Sequence, residues 1–420
     1  MSSSEPPVRP FWLAAAGARG TGATLPSHAE VAVLGAGIAG CIAALTLARG
    51  GVRVVVLDAR HPGEGATGRS AGFLIRGTAD HPVRVVASHG ESRTLELWQY
   101  TVASLDALIA LIEGEGVSCG LRRPGGLVLA LDADEARDLE DSARLVGRVE
   151  SLGEIWTAAE VEHRTGLAGF TAGWFRPDDA LLDPARLCTA LAAAAERAGA
   201  CIVPGARVLQ VDETPREPLR IHTERGVMRA ERALLAVNAA LPSLAPRLAA
   251  VITPVRAQMH VTAPDPRGAS LPWPVYAHHG YEYWRQEPTG ELLFGGCRLA
   301  EPAAERGVLD DARVSEVVHV AQRAFVHRHL PAFAALAPAA RWTGIMAYTP
   351  DGMPLVGAVP GSDRLWVCAG WNGHGLALAP RSATLLSEVM LGRRAAADIP
   401  AMFGPARDPA GAGSPKPRHA

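Results

Sequence analysis

Residues 30–40 read EVAVLGAGIAG, a short β-branched run that passes directly into Gly35-Ala36-Gly37-Ile38-Ala39-Gly40. An Ala/Leu-rich stretch to Ala48 and the run VRVVVLDA at 52–59 complete a strand–helix–strand unit whose strands are apolar on both faces. Each glycine of the turn has a physical task. Gly35 permits the tight turn, Gly37 lets the backbone approach a pyrophosphate, and Gly40 lets the helix pack closely on the strand. The helix N-terminus offers unpaired N–H groups and a positive dipole end to phosphates, and Ile38 opens it. Asp58 ends the second strand, 18 residues beyond Gly40, where a carboxylate can accept both hydroxyls of a ribose. The unit predicts dinucleotide binding and does not by itself separate FAD from NAD.

Residues 31–48 are 18 uncharged residues, about the minimum for a membrane-crossing helix. The break at Arg49-Gly50-Gly51 and the strand that follows assign them to the soluble unit instead. The rest of the composition agrees. The chain has 420 residues, 48% hydrophobic and 20% charged, which predicts two or three domains and a full-sized core. A formal net charge of −2 excludes a general nucleic-acid binder. Six cysteines lie far apart with no Cys-x-x-Cys pair, so isolated thiols are expected rather than a disulfide framework or a metal site. The start, MSSSEPPVRPFW, lacks the basic region and apolar run of a signal peptide, and a cytoplasmic location is expected. Lys416 is the only lysine among 41 basic residues.

A second loop follows at 61–73, HPGEGATGRSAGF. So many small and hydroxylic residues in succession supply backbone donors for a second phosphate or the edge of a flavin ring. With this loop the chain resembles the D-amino-acid-oxidase-like family of FAD-dependent oxidoreductases. PFWLAAAG at 10–17 is similar to the gamma-glutamylputrescine oxidase branch. Further marks are LDPARLCTALAAAAERAGA at 182–200, VLQV at 208–211, LLAVNAA at 234–240 and YEYWRQEPTGELLFGGCR at 281–298. The most specific are RWTGIMAYTPDGMPLVG at 341–357 and CAGWNGHGLALAP at 368–380.

The resemblance implies an α/β fold: a Rossmann-like FAD-binding domain of glutathione-reductase type, interleaved with an α+β substrate domain on an antiparallel sheet. The expected partition is an extension at 1–27, an FAD domain from 28–90, 150–240 and 336–400, a cap from 91–149 and 241–335, and a disordered tail at 401–420. It also implies that Gly35, Gly37, Ile38 and Gly40 approach the pyrophosphate and that Asp58 with Arg60 addresses the adenosine ribose. Ala66, Thr67, Arg69, Ser70, Ala71 and Gly72 would line the pyrophosphate and flavin ring, and the backbone of Val208 the adenine. Gly370, Trp371, Asn372, Gly373, His374, Gly375 and Leu376 would form a turn opening a helix toward the flavin, whose dipole stabilises the charge that builds on reduction. Relatives that bind flavin covalently use a cysteine where Gly344 stands or a histidine where Arg69 stands, so non-covalent FAD is implied.

The expected chemistry is hydride transfer from a carbon beside an amine, leaving an imine that water hydrolyses. The partners are an amine or amino acid and oxygen or another acceptor, in a monomer or small homo-oligomer. No nucleic acid, membrane or metal is expected. The cofactor carries the hard step, so no nucleophile or paired carboxylates are needed. Substrate-facing candidates are Tyr283, Arg298 as a carboxylate clamp, and His374, with Trp284 and the pair His278-His279 behind them. Alternation along 281–286 puts Tyr281, Tyr283 and Arg285 on one face and Glu282, Trp284 and Gln286 on the other, so Tyr283 and Trp284 cannot both face the site. Related oxidases place a lysine near the flavin for reaction with oxygen. Here His374 or an arginine would have to serve, or the enzyme is a dehydrogenase. An NAD-linked dehydrogenase and a flavin-binding protein without turnover are the other readings.

Overall fold

A computed structural model describes residues 6–14, 23–151 and 153–407. After the short helix α1 (Phe11–Ala14), the first βαβ unit is β1 (His28–Leu34), α2 (Ile38–Arg49) and β2 (Val54–Leu57). Strand β3 (Phe73–Leu74) leads to helices α3 (Pro82–His89) and α4 (Glu91–Gly114). Then come β4 (Gly126–Ala130), α5 (Ala133–Val146), β5 (Glu154–Thr157), α6 (Ala158–Thr165), β6 (Ala172–Arg176) and β7 (Ala180–Leu181). Helix α7 (Pro184–Arg197) precedes β8 (Cys201–Val203), β9 (Val208–Asp212), β10 (Leu219–Thr223), β11 (Gly226–Leu235) and α8 (Leu241–Leu244). Next are β12 (Thr253–Thr262), β13 (Val275–Ala277), β14 (Glu282–Gln286), β15 (Leu292–Gly295), α9 (Pro302–Glu305) and α10 (Glu316–His329). The described chain closes with β16 (Pro338–Tyr348), β17 (Leu355–Ala358), β18 (Leu365–Ala369) and α11 (Gly375–Met390).

The strands form two large sheets. The first runs β17-β18-β11-β1-β2-β8, with the β9–β10 hairpin attached to β11. Its centre is parallel, β1 pairing with both β2 and β11, and those strands are apolar on both faces as a sheet covered on two sides requires. Helices α2, α4, α7 and α11 cover one face. The second sheet runs β16-β12-β15-β14-β13-β4-β6-β5. It is antiparallel except where β13 lies parallel to β4.

Five parts of the chain depart from the sequence partition. Strands β5, β6 and β16 belong to the second sheet, although their residues fall in the segments read as FAD-binding. Helix α4, read as part of the cap, buries Leu97, Leu105, Leu108 and Ile112 in the core under the first sheet, because its apolar stripe meets α2 and α11. It is long and apolar enough to cross a membrane by composition, yet half of that window is buried inside the fold. Finally, residues 401–407 are ordered: Phe403 is fully buried against Tyr100, and Arg407 pairs with Asp351 at 2.6 Å. Residues 408–420, with Lys416, lie outside the described residues.

Candidate active site

The glycine turn after β1 is fixed by sterics. Gly35 has φ +103°, and a Cβ there would lie 2.6 Å from the Ala236 carbonyl oxygen. A Cβ on Gly40 would lie 1.8 Å from the Gly35 carbonyl oxygen, so only glycine lets α2 start this close to the strand. Gly37 is the extended N-cap of α2 and supplies no side-chain cap. Ile38 N–H donates to Thr67 Oγ1 at 3.3 Å, and the amides of Ala39 and Gly40, which find no acceptor among the described residues, leave the helix end open to a ligand anion. Asp58 Oδ2 accepts from Ala36 N–H at 2.6 Å and Oδ1 from Arg60 N–H at 2.7 Å. Each oxygen keeps a further lone pair for a ribose hydroxyl. Burial pushes the Asp58 carboxyl up, against those two N–H bonds. The Arg60 side chain is committed to Asp311 at 2.7 Å.

This turn lines a cavity of about 1400 Å³ whose walls come from both sheets. Eighteen of the twenty-one residues expected at the cofactor line it; Gly40, Gly370 and Asn372 do not. Gly40 stands behind the turn for the steric reason above. Asn372 folds inward, its Oδ1 accepting from Thr349 N–H at 2.9 Å and its Nδ2 donating to Gly370 O at 2.8 Å, so the two shape the turn before α11. At that turn the amides of Gly375 and Leu376 find no acceptor among the described residues, and the positive end of α11 faces the cavity. A phosphate-binding turn, a ribose acceptor and a second open helix end on one continuous cavity fit an FAD. Gly344 stands beside Arg69, whose Nη1 donates to Thr343 O at 3.0 Å, and no cysteine lines the cavity among the described residues.

The opposite wall is one face of the second sheet. Register aligns Tyr276 with Tyr283, Tyr283 with Gly295, and Gly295 with Met259. Gly344, Met346 and Tyr348 share that face along β16. Four of the chain's five tyrosines, Tyr276, Tyr281, Tyr283 and Tyr348, therefore line one cavity. Tyr283 faces it and Trp284 does not. Trp284 is fully buried on the other face, stacked on Phe294 with 5.9 Å between ring centroids. Tyr276, Tyr348 and Met346 went unread in the sequence, although two-residue steps from Gly344 and alternation around Tyr276 would have reached them.

Arg298 sits at this wall with its guanidinium 4.3 Å over the Tyr281 ring, its Nη2 donating to the Tyr348 hydroxyl at 3.5 Å. It forms no ion pair with a carboxylate among the described residues. His374, at the mouth of α11, is buried, stacks on Tyr276, and leaves Nδ1 unpartnered. Burial holds its pKa down at about 4, so the ring is neutral at pH 7 and cannot supply the cation considered for it. Arg69 and Arg298 carry the positive charge there.

His278 and His279 also line the cavity. His278 Nδ1 pairs with Glu282 at 2.7 Å, which raises its pKa. His279 Nδ1 and the unpartnered His81 Nε2 lie 3.6 and 3.5 Å from Glu135 Oε1, the nearest thing to a metal-ligating trio among the described residues. Arg84 lies 3.1 Å from His279 Nε2, and since a guanidinium only donates, it leaves the ring proton on Nδ1, the atom a metal would need.

Comparisons with known proteins converge on this reading. The family described as FAD dependent oxidoreductase, DAO, matches residues 30–389. The chain is 28% identical to a glycine oxidase of Geobacillus kaustophilus over 383 residues, covering 88% of this chain and 95% of that one. It is 25% identical to gamma-glutamylputrescine oxidoreductase of Escherichia coli over 374 residues, covering 86% and 84%. The crystal structure of the Geobacillus glycine oxidase superposes with a TM-score of 0.75 at 23% identity, covering 91% of this chain and all of that one, a likeness of fold. With a family match spanning most of its length and a cavity built for the family's cofactor, the chain belongs to the DAO family of FAD-dependent oxidoreductases.

Proposed function

We propose that the protein oxidises the C–N bond of an amine that also carries a carboxylate, an amino acid or an N-substituted one, in the cytoplasm and with non-covalent FAD. The observation that carries this is Arg298: a guanidinium on the cavity wall, flanked by tyrosines and lacking a carboxylate partner among the described residues. A substrate carboxylate would complete it, and a bidentate bond would fix the substrate's orientation.

When bound, the flavin supplies the hydride acceptor. The chain's own groups bind, orient and exclude water. Tyr283 and Tyr276 lie deep on the wall, and burial pushes both phenols up, so they stay neutral donors. Removal from water and the like charge of Arg298 on the same wall would disfavour an ammonium and so favour the neutral amine that can give up hydride. His374, neutral at the open end of α11, adds a polar contact without a charge. The six free cysteines fit a reducing compartment.

The test is anaerobic bleaching of the bound flavin by a panel of D-amino acids, N-methyl amino acids, polyamines and aminophosphonates, repeated in air. Carboxylate-bearing amines should reduce it, and Arg298→Met should raise their apparent Kd about 10–100-fold, the worth of a hydrogen bond to a charged group, with flavin content unchanged. Preference for a polyamine, or an unaffected Kd in the variant, overturns the reading. Turnover in air separates an oxidase from a dehydrogenase.

A further inference from the structure

Three consecutive carbonyls of the loop facing the cavity are each held by a side chain from a different part of the chain. Arg69 O accepts from Trp342 Nε1 at 2.9 Å, Ser70 O from Trp12 Nε1 at 2.9 Å, and Ala71 O from Arg285 Nη1 at 2.9 Å. In a trans peptide the N–H points opposite to the C=O of the same plane, so these three bonds also aim the amides of Ser70, Ala71 and Gly72. Ser70 N–H donates to Thr67 O and Gly72 N–H to Ser70 Oγ. Ala71 N–H has no acceptor among the described residues, and Ala71 lines the cavity. The one free amide thus belongs to the plane whose carbonyl Trp12 holds.

Trp12 is not there by accident of packing. Arg9 N–H donates to Arg341 O at 2.9 Å and Arg341 N–H to Pro7 O at 3.0 Å, which adds residues 7–9 to the edge of the second sheet. Helix α1 then places Trp12, which is buried, between the loop and the Arg285 guanidinium 4.9 Å from its ring. A carbonyl that accepts a bond polarises its own amide and makes the N–H a stronger donor.

We propose that the N-terminal segment belongs to the cofactor site, with Trp12 the positioning residue that aims and strengthens the Ala71 N–H toward the bound flavin. This rests on the assignment of the cavity to FAD. The test uses full-length protein. Trp12→Phe keeps a ring beneath Arg285 and removes the donor. Its bound flavin should have a lower midpoint potential, because a donor that favours the reduced, more negative ring is weakened. A tenfold loss of preference for the reduced form corresponds to about 30 mV for a two-electron couple. Leu13→Ala, which trims packing against Gly68, should lower Tm and leave the potential unmoved. In the wild type, hydrogen exchange at the Ala71 amide should slow on adding FAD to the apoprotein, a readout independent of how the variants fold. An unchanged potential in Trp12→Phe, or no new protection at Ala71, overturns the role of Trp12. Failure of the wild type to take up any flavin would instead overturn the cavity's assignment.

Discussion

The glycine turn after β1 occupies six consecutive positions, whereas the facing wall gathers Met259, Tyr276, Tyr283 and Tyr348 from four strands. The turn is a backbone device. Its function depends on the absence of Cβ atoms where strand, helix and ligand crowd together, and that requirement leaves the same mark in any chain that meets it. The wall is a side-chain device, assembled by sheet register, and each of its residues would be unremarkable in isolation. Backbone devices tolerate no added atom; side-chain devices tolerate change in graded steps.

The sharpest break in that contrast is to make the same substitution behind the turn and in the facing wall. Gly40→Ala drives a Cβ into the Gly35 carbonyl, a clash of backbone on backbone that no rotamer relieves. Gly344→Ala brings a Cβ to 3.3 Å from Arg69 Cβ, which a shift of a few tenths of an ångström relieves. We expect Gly40→Ala to cost more than about 4 kcal/mol and to yield protein without flavin, and Gly344→Ala to cost less than about 1 kcal/mol and to keep it. Denaturant midpoints and the flavin-to-protein absorbance ratio measure both. Equal effects would erase the distinction.

A second difference is in charge. The turn meets its ligand with amides that do not titrate, while the opening of α11 meets the wall with His374, whose pKa burial holds at about 4. An unfolded histidine titrates near 6.5. Between those values the unfolded chain binds a proton that the folded ring refuses, so stability falls as pH drops from about 6.5 toward about 4 and is indifferent to this group above. For His374 the loss between pH 7 and pH 5 is about 2 kcal/mol. His374→Phe keeps the ring against Tyr276 and should flatten the urea midpoint over that interval by this amount relative to wild type. His260 and His279, also held at about 4, keep their own share in both proteins. An identical pH dependence in variant and wild type would mean that His374 protonates freely in the folded state.

Legibility in the sequence divides along the same line. The β1–α2–β2 unit, the turn, Asp58 and the loop at 65–72 could be read because local spacing and small residues encode them. The link between β14 and β15, Glu287-Pro288-Thr289-Gly290, likewise shows its turn in its residue types, and Gly290 closes it at φ +103°. The partition of the chain was not, because β16 follows α10 in sequence yet returns to pair with β12 over ten residues, a choice made by long-range burial. Helix α4 shows the same limit: periodicity finds an apolar stripe but not which sheet it will face. Arg298 could be named but not weighed, since whether a carboxylate reaches it is settled only by the folded surroundings.

Alternation itself can be put to the finest test, at two adjacent positions of β14. Tyr283 and Trp284 differ by one residue and by everything that surrounds them. Tyr283 lies with its ring over Gly295, where a Cβ would come within 2.3 Å of it, and its edge meets Tyr276 and Phe73. Trp284 is packed among Phe170, Phe294 and Phe325 with its Nε1 unpartnered. Tyr283→Phe removes one hydroxyl from the cavity and should lower kcat/KM about 2–10-fold, the worth of one neutral hydrogen bond, with Tm nearly unmoved. Trp284→Phe removes buried volume, partly offset by deleting a donor that had no acceptor, and should cost about 1–2 kcal/mol of stability with kcat/KM unchanged. Steady-state kinetics and thermal unfolding on the two variants separate the faces of the strand. Loss of kcat/KM at Trp284 with none at Tyr283 would mean that a bulge reverses the register at the cavity, and the tyrosine wall would have to be redrawn from β14 outward.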